Sequence, residues 1–330
     1  MNQAKIYVPS SSANVGLFFD SGCIGLEEPR LCVTYFVSET PGITCTITSP
    51  HSAPGNRELG YAGKVALDNF FKEYDIKMGV QLHYEDDDYP VGGLGRSGAE
   101  AVGAILAAAV VNDIRLSRED VIRLSSMGEP GQHMDNVAGS TNGNFNLIAR
   151  DPYSGGTVSI DYYKVPESLG LVLGVSSHQK TTGTEGMRKV LQYPVLAKDY
   201  VGGVSLAASA AAALVDGNVD RFLELVWRDA FHEPRRADIG GYGDFTAEEF
   251  RELKEDLFER RGIATVVSGA GPRMAFLYNT DQHITGIQGT VSRTIVPWFN
   301  ERGMEMEAKD VRIAKEGAYD YAQKTYDYNK

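Results

Sequence analysis

Apolar residues recur along the chain with the periods of strands and of amphipathic helices. Alternation and β-branched or aromatic enrichment predict strands at residues 5–8, 31–37, 43–48, 78–84, 158–163, 169–175, 263–268, 274–278 and 304–313. Helical spacing predicts helices at residues 61–74, 185–191, 204–216, 220–230, 246–262 and 282–302, and two more that begin near 97 and 117. Strands and helices follow one another in mixed order, which indicates an α+β fold. The tail after residue 316 is predicted to be mobile.

Length and turn chemistry indicate two domains. A chain of 330 residues exceeds one average domain. The loop at residues 151–156 contains Asp, Pro, Ser and two Gly, and it is the best candidate for the boundary. We therefore expect domains at 1–155 and 156–330, and the return of the last strand to the N-terminal domain is an open alternative.

Charge and cysteine content restrict the class of protein. The chain has 32 Lys and Arg against 44 Asp and Glu, a formal net charge of −12, so we expect no non-specific binding to nucleic acid or membranes. The three cysteines, Cys23, Cys32 and Cys45, lack metal-type spacing and favour reduced thiols. Neither a membrane-spanning run nor a signal-peptide pattern is found, and we expect a cytoplasmic protein.

Four acidic residues, Glu85 to Asp88, follow the strand predicted at 78–84 and come just before a glycine-rich segment. Adjacent carboxylates repel one another unless a cation binds them. The run is therefore expected to form a solvated loop.

The glycine-rich segment, PVGGLGRSGAEA at 90–101, leads directly into a helix of small apolar residues. Gly93, Gly95 and Gly98 satisfy G-x-G-x-x-G, but the acidic stretch before them does not fit a dinucleotide fold, and no Lys follows as in a P-loop. What remains is a loop whose backbone N–H groups can approach an anion at a helix N-terminus, or a tight turn without a ligand. Ser97 and Glu100 have the spacing of a capping box, so Ser97 caps the helix, contacts phosphate or Mg²⁺, or does both.

Together with two other segments, this loop resembles the signatures of the GHMP kinases. The first signature resembles VPSSSANVGLFFD at 8–20, the second PVGGLGRSGAEA at 90–101, and the third SGAGPRMAF at 268–276. Within the superfamily, the segments HMDNVAG at 133–139, TEGMR at 184–188 and HEPRR at 232–236 are similar to those of the homoserine kinases. The resemblance covers residues 5 to 280.

The resemblance implies a fold and an activity. The fold would have an N-terminal domain like ribosomal protein S5 domain 2 and a C-terminal ferredoxin-like α/β sandwich. The activity would be transfer of the ATP γ-phosphoryl group to the hydroxyl of L-homoserine, giving O-phospho-L-homoserine for threonine biosynthesis, with ATP and Mg²⁺ required. A homodimer is left open.

The resemblance also implies the roles of particular residues. The nucleotide phosphates would lie on a loop formed by Gly93, Leu94, Gly95, Arg96, Ser97 and Gly98, with Gly269 and Gly271 in a tight turn of the third signature. Ser97 and Glu129 would hold Mg²⁺. Asp135 would orient the acceptor hydroxyl or take its proton. The other substrate and catalytic residues would be Asn14, Asp20, Asn136, Thr184, Arg188 and Arg236, the two arginines binding the substrate carboxylate.

Structural roles remain as alternatives for several of these residues. Asp135 and Thr184 could cap helices, Asn14 could cap a turn, and the two arginines could be surface cations. His133 and His232 are interpreted as structural rather than catalytic residues.

The chain departs from the superfamily pattern at four positions that bear on the site: Arg96, Gly98 and Glu100 at the start of the helix, and Met134. Gly98 replaces Ala, and Glu100 would repel a polyphosphate unless its side chain is turned away. Arg96 replaces a Ser in the usual GLGSSAA, so its guanidinium either adds positive charge at the phosphates or fills space that the nucleotide needs. Met134 replaces a small residue or Pro, which leaves open another hydroxy acid, such as a mevalonate derivative, as the acceptor of a kinase or decarboxylase. A nucleotide-binding relative without catalysis is the third alternative.

Overall fold

The computed structural model describes residues 2–48, 59–86, 92–176, 183–192, 194–282 and 286–326, without the side chains of 130 and 183–185. The chain forms two compact units, and both are built from separate segments. The first unit contains Met1–Ala13, Asp20–Tyr163 and Ile313–Lys330, and the second contains Asn14–Phe19 and Lys164–Arg312.

The first unit is built on a mixed sheet. Its strands are β1 (Gln3–Ala13), β2 (Gly22–Ser38), β3 (Ile43–Thr48), β4 (Gly79–Asp86), β5 (Phe145–Arg150) and β6 (Thr157–Tyr163). The order is β3-β4-β2-β5-β6, with β1 paired antiparallel to β2 and with β3 parallel to β4. The register of β1 shifts between Pro9 and Ser10, inside the first signature.

Helices pack on this sheet. They are α1 (Tyr61–Glu73), α2 (Arg96–Val111), α3 (Arg118–Ser126) and α4 (Asp135–Asn142). The small residues of α2 let it lie buried against β1, β2 and the other three helices, as its composition predicts. At Gly103 the approach is so close that a Cβ would lie 2.8 Å from the Cβ of Val33. Ser117 caps α3 in a reciprocal capping box with Asp120.

The second unit has an antiparallel sheet of order β10-β7-β9-β8. Its strands are β7 (Leu169–Ser176), β8 (Ala264–Ser268), β9 (Arg273–Asn279) and β10 (Met306–Asp310). Its helices are α5 (Gly183–Lys189), α6 (Ala197–Val215), α7 (Val219–Val226), α8 (His232–Ala237), α9 (Ala247–Arg261), α10 (Ile287–Thr290) and α11 (Val296–Asn300), with a π-helical turn at Val291–Ile295. Its core is formed by aliphatic side chains together with aromatic ones, among them Tyr242, Phe250, Phe276 and Phe299.

The end of the chain corrects two expectations. β10 pairs with β7, so the last strand stays in the second unit, and only the segment after it returns to the first. That segment was expected to be mobile, but it forms α12 (Ala318–Tyr326), in which Ala318, Tyr319 and Ala322 are buried. The hydroxyl of Tyr319 donates to the carbonyl of Leu116 at 2.9 Å, which fixes the helix to the first unit.

Other differences from the sequence-based expectations are local. The loop at 151–156 turns between the paired strands β5 and β6, so the chain passes between units at residues 163–164 and not at 155–156. The helix expected over 282–302 consists of shorter pieces, and α8 was not predicted. In the acidic run, Glu85 and Asp86 belong to β4 and Asp86 is buried, whereas Asp87 and Asp88 lie outside the described residues. Among the described residues, no helix has both the length and the apolar character needed to cross a membrane.

Candidate active site

The glycine-rich loop has the geometry of an anion cradle. Gly92, Gly93 and Gly95 all have positive φ, at 84°, 78° and 68°, and Gly95 is the N-cap of the 16-residue helix α2. The carbonyl of Leu94 accepts from the backbone N–H of Ser11, which attaches the loop to β1. Backbone N–H groups at a helix N-terminus favour negatively charged ligands. The predicted capping box of Ser97 and Glu100 is wrong, because α2 begins at Arg96 after a left-handed glycine.

The side chain of Arg96 is held by two carboxylates, and its effect on nucleotide binding stays a prediction. Its guanidinium is buried, with Nη2 at 2.7 Å from Asp86 Oδ2 and Nε at 3.2 Å from Glu100 Oε1. Two carboxylates therefore balance its charge inside the protein. Burial raises the pKa of Glu100 to about 7, although Arg96 opposes the shift.

The two expected magnesium ligands lie together. The hydroxyl of Ser97 hydrogen-bonds the carboxylate of Glu129, and Glu129 Oε1 is buried without a hydrogen-bond partner among the described residues. Burial, together with the negative charges of Asp135 and Glu100, raises the pKa of Glu129 to about 7. An unpartnered carboxylate oxygen beside a hydroxyl and other carboxylates fits a hard divalent cation. In the described parts of the chain, no cluster of three or more His, Cys, Asp or Glu forms a protein-only metal site.

Asp135 and Asn136 lie at the start of α4, next to the loop. Asp135 is buried, its Oδ1 accepts from the Asn136 N–H at 2.8 Å, and the N-cap is Met134, so Asp135 is not the helix cap. Ser11 Oγ lies 3.0 Å from both the side-chain and the backbone oxygen of Asn136. A Cβ on Gly95 would lie 2.6 Å from Asn136 Oδ1. The structure thus brings the loop, the expected acceptor residues and β1 into direct contact.

A third group of this unit contains Asp20, one of the expected substrate residues. Asp20 has φ 52°, and its Oδ1 lies 3.8 Å from Nδ1 of His133. Both side chains are partly exposed. His133 was interpreted as structural, yet it accompanies the expected substrate residue. The sequence contained one signal for a place of His133 in the site, because His133 stands two residues before Asp135 in the HMDN segment. Met134, the other departure, places its sulfur 3.0 Å from Thr157 Oγ1.

In the second unit, the end of the first signature meets the third signature. Asn14 has φ 56° and is buried, and its Nδ2 donates to the carbonyl of Gly269 at 2.8 Å. Gly269 and Gly271 have φ 61° and 70°, and the N–H of Gly271 donates to Ser268 O at 2.9 Å. The tight turn expected at these glycines is confirmed.

Arg236 lies in α8 and is almost completely buried. Its Nε donates to the Met187 carbonyl at 3.1 Å, and Nη1 lies 3.3 Å from Nδ1 of His232. Nε2 of His232 lies 2.8 Å from the carbonyl of Gly16, so Nε2 carries the proton and Nδ1 accepts from Arg236. Burial lowers the pKa of His232 to about 4, which keeps the ring neutral. Arg236 is thus not a surface cation, and direct binding of a carboxylate by it stays a prediction.

Arg188 and Arg236 share one aromatic neighbour that the sequence did not single out. The guanidinium carbons lie 5.9 and 5.2 Å from the ring centre of Phe19, which also packs on Phe231 and His232. Arg188 is partly exposed near the end of α5. Thr184 lies inside the first turn of α5, which begins at Gly183, so it is not the residue before the helix as expected.

The two-sheet α+β fold and the glycine loop are those expected of a GHMP kinase, and comparison with known proteins agrees. Residues 61–144 match the family of GHMP kinases N terminal domains. This region of the chain is therefore similar to the GHMP kinases, and the comparisons support an ATP-dependent kinase.

Within this family, homoserine kinase from Methanococcus vannielii is 29% identical over 280 residues, which are 82% of this chain and 86% of the relative. Two solved structures share the fold. Homoserine kinase from Cytophaga hutchinsonii matches with a TM-score of 0.79 at 19% identity over 96% of both chains. Mevalonate diphosphate decarboxylase from Staphylococcus aureus matches with a TM-score of 0.69 at 15% identity over 96% of this chain and 97% of its own. The predicted GHMP-type α+β fold is confirmed.

Proposed function

We propose that this protein transfers the γ-phosphoryl group of ATP to the side-chain hydroxyl of L-homoserine and forms O-phospho-L-homoserine. The observation that carries the proposal is the glycine loop entering α2 with Ser97 bonded to Glu129 and with Asp135 close by. The relatives named homoserine kinase, which cover most of the chain, support this acceptor. Threonine biosynthesis is the corresponding pathway.

Phosphoryl transfer needs positioning and charge neutralisation more than covalent help from the protein. The N–H groups of the loop Gly93 to Gly98 would bind the nucleotide phosphates at the N-terminus of α2. Ser97 and Glu129 would hold Mg²⁺, which supplies neutralisation of the phosphate charge. The buried oxygen of Glu129 fits this role because it has no hydrogen-bond partner within the described parts of the chain.

The acceptor would be positioned by polar residues whose chemistry matches its three groups. Asp135, with Asn136, would orient the hydroxyl or take its proton. Asp20, beside His133, would bind the ammonium. In the second unit, Arg188 is proposed for the carboxylate, with Arg236, Asn14 and Thr184 as further substrate residues and Gly269 and Gly271 as part of nucleotide binding. A guanidinium binds a carboxylate with two parallel hydrogen bonds, which gives orientation as well as affinity.

The acceptor assignment is tested by following ADP release from MgATP with the purified protein and a panel of acceptors. L-Homoserine should support turnover far above the ATPase background, and D-homoserine serves as the matched control for stereochemistry. Turnover with mevalonate or its phosphates instead would move the assignment to the mevalonate branch. Binding of MgATP without product from any acceptor would identify a non-catalytic relative.

A cytoplasmic location and a homodimer belong to the same proposal. All three cysteines are free thiols, which is consistent with a reducing compartment. Sedimentation of the purified protein would measure the mass of the particle, and a monomer at micromolar concentration would contradict the homodimer.

A further inference from the structure

Three charged side chains are buried together behind the glycine loop. Arg96 lies between Asp86, whose side chain is fully buried, and Glu100, whose side chain is 2% exposed. Burying such charges costs free energy, and well-packed apolar residues are often as stable. The group is therefore expected to set a particular local arrangement rather than to add stability.

Glu100 makes one contact that reaches beyond its own helix. Its Oε2 accepts from the backbone N–H of Gly60 at 2.8 Å, a buried hydrogen bond between residues 40 positions apart. Gly60 has φ 78° and is the N-cap of α1. The same carboxylate thus binds Arg96 in the first turn of α2 through Oε1 and the start of α1 through Oε2.

The first turn of α1 also supports the segment that carries Glu129. A Cβ on Gly128, the residue before Glu129, would lie 3.0 Å from the carbonyl carbon of Ala62. A Cβ on Gly63 would lie 3.0 Å from the carbonyl oxygen of Glu100. The turn of α1 therefore touches both backbones that present the Ser97–Glu129 pair, and glycine allows this approach on each side.

We infer that Glu100 is a positioning residue, which fixes the first turn of α1 against α2 and thereby sets the spacing of Ser97 and Glu129 for the metal–nucleotide complex. Arg96 and Asp86 hold the carboxylate of Glu100 in place. Arg96, which replaces a Ser of the usual GLGSSAA, thus has a structural role. The inference rests on the proposed function for what Ser97 and Glu129 bind.

Two substitutions test separately the length of the Glu100 side chain and its charge. Glu100→Asp keeps the charge that balances Arg96 but is one methylene too short to reach Gly60. Glu100→Gln loses the charge but keeps an oxygen that accepts from Gly60. We expect Glu100→Asp to raise the Kd for MgADP, measured by calorimetry, about tenfold, because a hydrogen bond to a charged group is lost. The Kd for MgADP of Glu100→Gln should stay within about threefold of the wild-type value. Glu73→Asp, which alters an exposed ion pair of α1 with Arg123, is the matched control and should leave the Kd unchanged.

A Kd for Glu100→Asp equal to wild type overturns the inference, and so does equal weakening by Glu100→Gln, because charge and not reach would then matter. If Glu100→Asp does not fold, amide hydrogen exchange of wild-type residues 60–63 decides the matter. MgADP should slow this exchange severalfold, and unchanged exchange overturns the inference. Both measurements need no acceptor, so a wild-type protein that binds MgADP but does not phosphorylate L-homoserine refutes the acceptor alone. Absence of MgADP binding by the wild type overturns both.

Discussion

Ser97 and Glu129 are joined by one hydrogen bond, and the second carboxylate oxygen of Glu129 is buried without a partner among the described residues. If they hold Mg²⁺, removing the hydroxyl of Ser97 should weaken binding of the metal more than binding of the nucleotide. We expect Ser97→Ala to raise the Mg²⁺ concentration for half-maximal turnover about tenfold, the effect of roughly 1.4 kcal/mol. Turnover measured across a magnesium titration checks this.

Ser126→Ala provides the control, because its hydroxyl donates to the Arg123 carbonyl within α3 and not to Glu129. An unchanged magnesium requirement in Ser97→Ala would remove Ser97 from the metal site.

The buried His232 should make the stability of the folded protein depend on pH. Burial first, and Arg236 next to it, keep its folded-state pKa at about 4, below its usual 6.5. The unfolded chain therefore takes up a proton first as pH falls, so the stabilisation is complete above pH 6.5 and is lost towards pH 4. At pH 5 the loss from this group is about 2 kcal/mol relative to neutral pH.

Urea unfolding at pH 7 and pH 5 measures this loss. His232→Gln keeps a donor for Gly16 and an acceptor for Arg236 but does not titrate, so its stability should fall less between the two values. Equal losses in wild type and variant would contradict the assignment.

At the scale of an element, the conformation of the glycine loop decides how α2 begins. Gly95 has φ 68°, and a Cβ there would lie 2.6 Å from Asn136 Oδ1. Gly95→Ala should therefore add backbone strain of about 1 kcal/mol and displace Asn136, and MgADP binding should weaken more than tenfold.

Gly217→Ala is a close control for strain. Gly217 has φ 75°, but no described atom lies within 4 Å of its Cβ position. Both variants should lose similar stability in thermal unfolding, whereas calorimetry should show weakened MgADP binding only for Gly95→Ala. Equal nucleotide affinity in both would show that the loop tolerates the side chain.

Elements were predictable where their signals are local. β3 has the predicted bounds, 43–48, because alternation and β-branched residues are properties of consecutive positions. The helix predicted at 246–262 forms as α9, which begins after Thr246 with a capping box of Thr246 and Glu249. At Ser97 the same kind of signal failed, because the carboxylate of Glu100 binds Arg96 one turn earlier and also the N–H of Gly60. Gly60 lies 40 positions away, and a local pattern cannot identify it.

At the scale of the whole molecule, the end of the chain belongs to the first unit. Tyr319 of α12 is buried and donates to Leu116, and Arg118 binds Asp320. Tyr319→Ala should lower the free energy of unfolding by about 3 kcal/mol, as for other large-to-small changes in a core. Chemical denaturation measures it.

Lys324→Ala is the control on the same helix, since it removes only an exposed ion pair with Glu316 and should change stability by less than about 0.5 kcal/mol. A wild-type denaturation midpoint in Tyr319→Ala would restore the expectation of a mobile tail.

The sequence by itself determined most strands and helices, the anion-binding character of the glycine loop and the resemblance to the GHMP kinases. These depend on residues a few positions apart, whose periodicity, turns and caps act through short-range forces. Tertiary structure alone decided that Arg96 faces Asp86, that Asp20 meets His133, and that Asn14 binds the turn at Gly269. Such partners lie 10 to 255 positions apart, and only the packing of strands and helices around a core determines which buried polar groups can satisfy one another.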